Sequence, residues 1–310
     1  MAHGTHDYDI DPRNVDIIIG INDDLLPREK AMVSVFDSGF MLGDGVWEGI
    51  RVHGGKLAFL GDHLRRLYEG AMGIDMDIGR SPAELTAMIQ ATLDANDMGD
   101  ADGVHIRLMV TRGMKSTPYQ DPRFTITPAT IVIIAEYKTA RPETLTQGVR
   151  LYTVSTRRGR PDVQDPKWNS HSKLNCISAC IQATKAGADE ALMLDPQGFV
   201  ATCNSTHFFI VRHPDGPDGP AEVWTSTGDY CMPGITRRNV LRLCGQNDVI
   251  WREKNFSVTE CYGATEAFVT GTFAGIAPVT EIDGRTIGTG ERGPMVEQLQ
   301  KWYVEMLDNL

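Results

Sequence analysis

The stretch EALMLDPQGFVATCNSTHFFIVR, residues 190–212, decides the fold class. It contains short apolar runs at 190–195, 199–203 and 208–212, and the first two are separated by the turn-forming residues 196–198. Short runs of this kind, broken by turn signals, predict strands rather than helices. With EVWT (222–225) further on, they predict a barrel-like β core, to which the sequence adds helices near 235–246 and 291–308.

The N-terminal half predicts alternating strands and helices. A helix over about 62–71 and one beginning at Ser81, with Glu84 closing a capping box, are expected among strands. The expected strands are VDIIIG (15–20), MVSVF (32–36), a hairpin over 50–59, VHIRLMVTR (104–112) and TIVIIAE (130–136).

The fold class predicted from these elements is α/β (α+β), with two domains. The polar segment YKTARPETLTQG separates the strand runs, and we expect a linker at 139–148. The predicted order is a mobile tail (1–14), a small α/β domain (15–138), the linker, and a large pseudo-barrel domain (149–310).

Composition and net charge exclude several classes of ligand. A net charge of -11 without a dense basic run argues against nucleic-acid binding. No window approaches the length of a membrane span, and neither the 6 cysteines nor the 8 histidines show metal-ligand spacing. We therefore expect a cytoplasmic protein that acts on small molecules, with no metal, membrane or nucleic acid among its ligands.

Three features could hold an anion. The segment PGITRRNVLRL (233–243) begins a predicted helix, where unpaired amide groups favour a phosphate. VTGTFAG (269–275) ends a strand in a loop of small residues, and Arg66 could add charge. Each also has an ordinary interpretation, as a plain helix start, a plain turn and a surface arginine.

A nucleophile is less evident, since no GxSxG, phosphate-loop lysine or HExxH motif occurs. Lys173 lies in a predicted helix from about Ser170 to Ala186, beside the apolar residues Leu174 and Ile177. A solvated helix lysine is the ordinary interpretation of that position.

In order and spacing these segments resemble class IV aminotransferases, the fold-type IV pyridoxal-phosphate enzymes, over about 32–300. The most specific matches are FDSGFMLGDGVWEGIRVHGGKLAFLGDHLRRL (36–67), GADEALMLDPQGFV (187–200), PGITR (233–237) and AFVTGTFAGIAPVTEIDGR (267–285). The resemblance implies pyridoxal 5′-phosphate as cofactor, an amino acid and a 2-keto acid as substrates, and a homodimer.

The resemblance also implies roles for individual residues. The phosphate would be bound by Arg66, Ile235, Thr236 and Thr272. The substrate pocket would be lined by Leu42, Trp47, Arg107, Phe273 and Ala274. The EGIR segment (48–51) favours branched-chain-like substrates, and so does the absence of an Arg/His pair after 111–113, a feature of D-amino-acid aminotransferases.

The chain departs from the family pattern at the Schiff-base lysine. The stretch PKWNSHSKLNC (166–176) places Asn169 where the family carries that lysine. Within a helix, Lys173 would lie one turn away, roughly 5 Å, and its stem could span that gap. Lys173 is therefore the expected catalytic lysine, with Lys167 second.

A second departure lies at Thr202, where the family holds the pyridine nitrogen with a glutamate. A hydroxyl that donates to an unprotonated nitrogen would leave a weaker electron sink. The expected activity is a ping-pong transamination. Two alternatives remain: a lyase of the aminodeoxychorismate type, and a family member that has lost or repurposed the cofactor.

Overall fold

The computed structural model describes residues 4–216 and 219–310. The chain divides into two compact units. The small unit contains Asp9–Thr139, Trp168–Lys173 and Leu310. The large unit contains the residues up to Tyr8, Ala140–Lys167 and Leu174–Asn309.

The small unit is built on a six-stranded antiparallel sheet in the order β2-β1-β6-β5-β3-β4. Its strands are β1 Ile18–Ile21, β2 Asp24–Pro27, β3 Gly45–His53, β4 Lys56–Leu57, β5 Val104–Thr111 and β6 Thr130–Tyr137. Along β5, alternate residues are buried because one face of the strand packs on the core. The predicted strand at 32–36 is wrong: these residues form no strand, and Met32 is 76% exposed.

The described helices of the small unit are α1 Ser38–Leu42, α2 Leu60–Gly73 and α3 Pro82–Asp94, with short 3₁₀ turns at Pro12–Asn14, Arg28–Lys30 and Pro122–Phe124. Of these, α2 packs on β3, and α3 packs on β1 and β6. The predicted capping box of α3 is confirmed, since Ser81 and Glu84 bond each other's backbone amides. Leu85, Ile89 and Leu93 share the buried face of α3, as their helical spacing requires.

The large unit contains a nine-stranded sheet that forms a half-barrel, with strand order β12-β11-β10-β13-β14-β7-β8-β9 and β15 beside β14. Its strands are β7 Val149–Thr153, β8 Glu190–Leu194, β9 Val200–Cys203, β10 His207–Arg212, β11 Glu222–Thr225, β12 Ile250–Glu253, β13 Glu266–Gly271, β14 Gly275–Ile282 and β15 Arg285–Thr286. All residues of β8, β9 and β11 are buried, so these strands are mostly apolar and their few polar side chains, such as Glu190 and Thr202, need hydrogen-bond partners. The predicted fold class is confirmed.

The helices of the large unit are α4 Pro142–Thr146, α5 Leu174–Lys185, α6 Ile235–Gln246, α7 Val258–Tyr262 and α8 Pro294–Asp308. The short α4 lies within the segment expected to be a linker. None of the helices within the described residues is long and apolar enough to cross a bilayer.

The start of α5 corrects the sequence prediction. The helix begins at Leu174, not near Ser170, because the preceding residues pair with β3 instead. The amide of Trp47 donates to the carbonyl of Asn169 at 2.9 Å, and the amide of His171 donates to that of Gly45 at 2.9 Å. Lys173 therefore lies before the helix, and the one-turn relation to position 169 does not hold.

The N-terminal residues from Gly4 do not fit the expected mobile tail. Thr5 is 1% exposed and contacts the large unit, and Asn14 is 7% exposed within the small unit. Asn14 bonds both the amide and the carbonyl of Tyr137. Residues 1–3 of the predicted tail lie outside the described residues.

Candidate functional site

In the small unit, Arg66 is held by a buried carboxylate. Arg66 donates to Glu48 from Nε at 2.8 Å and from Nη2 at 2.6 Å, and His63 Nδ1 lies 2.7 Å from Glu48 Oε2. Burial raises the pKa of Glu48, but the charges and hydrogen bonds of Arg66 and His63 together outweigh it, so the pKa is below its ordinary value. Glu48 is thus an anion that fixes the orientation of the guanidinium.

Beside this network, two cationic side chains lie near the Trp47 ring. The guanidinium of Arg107 lies 3.7 Å from the centre of the Trp47 ring, and Lys173 Nζ lies 5.6 Å from it. Burial lowers the pKa of Arg107, while the charges of Glu48 and Glu136 oppose that effect. A positive site at an aromatic face suits recognition of a carboxylate whose remainder is apolar.

Position 169 is filled by a side chain that serves the fold. Asn169 is 4% exposed, and its Nδ2 donates to the carbonyl of Trp47 at 2.5 Å. Its Oδ1 is buried with no partner among the described residues. Together with the backbone bond from Trp47, this amide fastens the returning segment to β3.

The two candidate lysines, Lys173 and Lys167, have different surroundings. Lys173 is half-buried beside Trp47, whereas Lys167 is exposed. His171, between Asn169 and Lys173, has its pKa lowered mainly by burial and also by the nearby charges of Arg107 and Lys173. An uncharged imidazole therefore adjoins the half-buried amine.

In the large unit, the N-terminus of α6 is prepared for an anion. Ile235 and Thr236 are both 4% exposed, and no side chain of the described residues caps the helix at Gly234. A Cβ on Gly234 would lie 2.3 Å from Cε1 of His207, so glycine allows this close approach. The first amides of α6 retain donors for a phosphate or carboxylate.

The turn after β13 lies beside this helix start. His207 pairs with Thr270 across β10 and β13, and its ring packs on Gly234. Thr270, with Oγ1 buried and unpartnered among the described atoms, lies two residues before the half-buried Thr272. The large unit therefore brings the α6 amides close to the end of β13.

Thr202, in β9, is 4% exposed and donates Oγ1–H to the carbonyl of Thr206 at 2.9 Å. A hydroxyl has a single proton, so toward any other group this oxygen can only accept. Donation to a ring nitrogen would require the hydroxyl to leave the Thr206 carbonyl, and the expected role of Thr202 stays a prediction.

The sequence-predicted residues fall into two sets. The small unit carries Leu42, Trp47, Arg66, Arg107 and Lys173, and the large unit carries Thr202, Ile235, Thr236, Thr272, Phe273 and Ala274. Trp47, Arg107 and Lys173 are brought together, whereas Leu42 is at the end of α1 and 37% exposed. A cavity of about 890 Å³ in the small unit, between Asn22 and Met114, is lined by none of them.

Sequence reasoning missed Glu48, His63 and Glu190 as parts of these networks. Glu48 and Glu190 are carboxylates inside apolar strands and are 0% and 2% exposed. A charge in such a run requires a buried partner, so the strand pattern itself carried the signal. His63 and the contacts of Glu190 had no local signal.

Comparison with known proteins identifies the family to which this chain belongs. The model of the family described as amino-transferase class IV matches residues 45–282. A branched-chain-amino-acid aminotransferase-like protein 2 of Arabidopsis thaliana is 38% identical over 96% of this chain, which spans only 51% of that protein. A putative branched-chain-amino-acid aminotransferase of Methanocaldococcus jannaschii is 37% identical, covering 94% of this chain and 99% of that protein.

A solved structure agrees with these matches. The branched-chain amino acid aminotransferase from Thermobaculum terrenum, crystallised in its PLP-form (holo-form), superposes with a TM-score of 0.81 at 25% identity. The similarity covers 95% of this chain and 94% of that one.

Proposed function

Because this chain belongs to the class IV amino-transferase family, we propose that it moves an amino group between an amino acid and a 2-keto acid with pyridoxal 5′-phosphate as cofactor. The observation that carries the proposal is the buried first turn of α6, where Ile235 and Thr236 present amides without a side-chain cap among the described residues. By contrast, Ser81 caps α3 with its own side chain. An uncapped buried helix start suits the cofactor phosphate.

The residues present fit the phosphate end of the cofactor. Within the large unit, Ile235 and Thr236 would hold the phosphate through backbone amides and Thr272 through its hydroxyl. The phosphate contact expected of Arg66, in the small unit, stays a prediction. Thr202 would accept a hydrogen bond from the ring nitrogen. When bound, pyridoxal 5′-phosphate supplies an electron sink that acidifies the α-carbon of the amino acid.

We assign the catalytic amine to Lys173. Lys173 is half-buried beside Trp47, while Lys167 is exposed and Asn169 carries no amine. Lys173 would take the proton from the substrate α-carbon and deliver it to C4′ of the cofactor, and then work in reverse for the incoming keto acid.

Substrate recognition is proposed for the residues around Trp47 and the turn after β13. Within the small unit, Arg107 would bind a carboxylate over the Trp47 ring. The resemblance assigns contacts with the substrate side chain to Leu42, Phe273 and Ala274. These apolar surfaces support a branched-chain or similar amino acid. The relatives named above support the same assignment.

The decisive experiment is reductive trapping. The purified protein is incubated with pyridoxal 5′-phosphate, reduced with borohydride, digested, and mapped by mass spectrometry. We expect the pyridoxyl group on Lys173, with visible absorbance lost in Lys173→Ala and retained in the matched control Lys167→Ala. Modification of Lys167 alone would overturn the assignment of the amine.

A second candidate is a family member that binds the cofactor or a related phosphate without a covalent bond. It is favoured by Asn169 and Thr202, because both side chains already bond the protein's own backbone. In that case the cofactor is retained on equilibrium dialysis but no lysine is modified after reduction. Failure to bind the cofactor at all would overturn both candidates.

We further propose a cytoplasmic homodimer. The small unit exposes a set of large apolar side chains, which on a single chain is unfavourable and typical of an interface. They include Met32 (76%), Val35 (66%), Phe40 (70%) and Ile126 (63%). The 6 cysteines are all free, which supports a reducing compartment. Sedimentation of the purified protein and of Phe40→Asp tests the dimer.

A further inference from the structure

The N-terminal segment Gly4–Tyr8, which we name the strap, is part of the large unit. Thr5 is 1% exposed and donates to Oε1 of Glu190, and Thr206 donates to Oε2 at 2.7 Å. A buried carboxylate needs such donors, so the strap completes the hydrogen bonding of β8. Asp7 adds an ion pair with Arg141 at 3.6 Å.

Beyond this anchor, the strap covers the turn between β13 and β14. The His6 ring stacks on Phe273 with centroids 5.8 Å apart and an interplanar angle of 22°. Tyr8 meets the same ring edge-on at 6.5 Å. A phenylalanine in a tight hairpin turn would ordinarily face solvent, yet Phe273 is only 4% exposed.

A chain of contacts also links the strap to the start of α6, the proposed anion site. Thr206, which shares Glu190 with Thr5, precedes His207, and the His207 ring packs on Gly234. His207 in turn pairs with Thr270 in β13, the strand that leads to Phe273. The anchor, the covered turn and the helix start are thus joined through one set of contacts within the large unit.

We propose that the strap is a specificity-determining wall of the large-unit site: His6 and Tyr8 hold Phe273 in place, and Phe273 then contacts the apolar side chain of the substrate. The identity of the substrate, an amino acid or 2-keto acid with an apolar side chain, rests on the proposed function. His6 and Tyr8 act through Phe273 and are positioning residues.

The first test removes the hydrogen bond between Thr5 and Glu190 and leaves the rings of His6 and Tyr8 unchanged. Thr5→Val removes the donor to Glu190, and Thr5→Ser retains it. Hydrogen exchange followed by mass spectrometry should show faster exchange at 4–9 and 271–275 in Thr5→Val, with recovery in Thr5→Ser. Ile10→Ala is the matched control, since Ile10 lies just past the strap and is 87% exposed.

The second test removes the rings. The double variant His6→Ala with Tyr8→Ala should raise KM for leucine about tenfold, since each aromatic pair is worth roughly a 2- to 10-fold change. KM for alanine should change less than threefold, and kcat for either substrate should change less than threefold. Unchanged discrimination between leucine and alanine, with exchange at 271–275 also unchanged, would overturn the proposal.

An inactive unmodified protein would overturn the proposed function but still leave the strap testable. In that case, calorimetric titration compares 4-methyl-2-oxopentanoate with pyruvate. The proposal requires the larger keto acid to bind more tightly and Thr5→Val to reduce that preference. Equal affinities, or no binding of either acid, would overturn it.

Discussion

Removing the negative charge of Glu48 should strongly destabilise the small unit. Glu48 is fully buried and accepts from Arg66 at 2.8 and 2.6 Å, with His63 Nδ1 at 2.7 Å. Glu48→Gln keeps the shape, but it replaces one acceptor oxygen by an amide that faces another donor. The positive charge of Arg66 then stays buried without a counter-charge.

The expected loss follows from that geometry. Each hydrogen bond to a charged group contributes about 1.5–3 kcal/mol, and breaking a buried ion pair by removing one partner costs about 3–5 kcal/mol. We therefore expect Glu48→Gln to lower the free energy of unfolding by about 3–5 kcal/mol. The free energy of unfolding of a typical domain is about 5–15 kcal/mol, so the variant would retain only part of its stability.

The assay is urea denaturation followed by circular dichroism. Arg65→Ala is the matched control: Arg65 is next to Arg66 on α2, but its side chain is 62% exposed and pairs with Asp62 at the surface. The control should lie within about 0.5 kcal/mol of the unmodified protein. A Glu48→Gln loss below about 1 kcal/mol would refute the view that this carboxylate is charged and buried.

The pH dependence of the free energy of unfolding provides a second test of the charge on Glu48. The pKa of Glu48 is lower in the folded protein than its ordinary value of 4.5, so its contribution is complete above that value. The contribution is lost as pH falls from about 4.5 through the lower folded pKa. The stability difference between unmodified protein and Glu48→Gln should therefore shrink below pH 4.5.

Three further outcomes are expected. Burial raises the pKa of Cys244 to about 12, so iodoacetamide should modify the half-buried Cys176 well before Cys244, as peptide mapping would show. Gly234→Ala should lower the free energy of unfolding by about 1–3 kcal/mol, because its Cβ would lie 2.3 Å from the His207 ring. In a melting experiment, the same substitution should cost less in a His207→Ala background, where the ring is absent. Because burial lowers the pKa of His171, its imidazole should titrate below 6.5 by proton NMR, and its contribution to stability should be lost as pH falls below 6.5; titration at or above 6.5 would contradict the burial.

Local patterns in the sequence predicted strands β8 to β11 of the half-barrel and the capping box of α3. These features depend on residues close together in the chain: turn residues between apolar runs, or Ser81 three positions before Glu84. The run at 32–36 shows the limit of that reasoning. Its β-branched and apolar residues resemble a strand, but the segment is not part of either sheet, and Met32, Val35 and Phe36 remain exposed.

The features that sequence reasoning missed depend on distant partners. Asn169 bonds Trp47 from 122 positions away, and this pairing removes residues 169–171 from the helix that their neighbours predict. The strap is ordered by Glu190, 185 positions from Thr5. Local propensity cannot specify such contacts, because the energy that fixes the segment comes from a strand or carboxylate elsewhere in the chain.

The two departures from the family pattern have a common physical character. Asn169 and Thr202 are each 4% exposed, and each donates a hydrogen bond to a backbone carbonyl of its own unit. A lysine at 169 would lose the bond to Trp47 and place an ammonium in a buried position, while a glutamate at 202 would replace a donor by an acceptor facing the Thr206 carbonyl. Both positions are therefore adapted to the residues they now hold, so restoring one family residue would cost stability, and the amine chemistry proposed for this chain depends on Lys173.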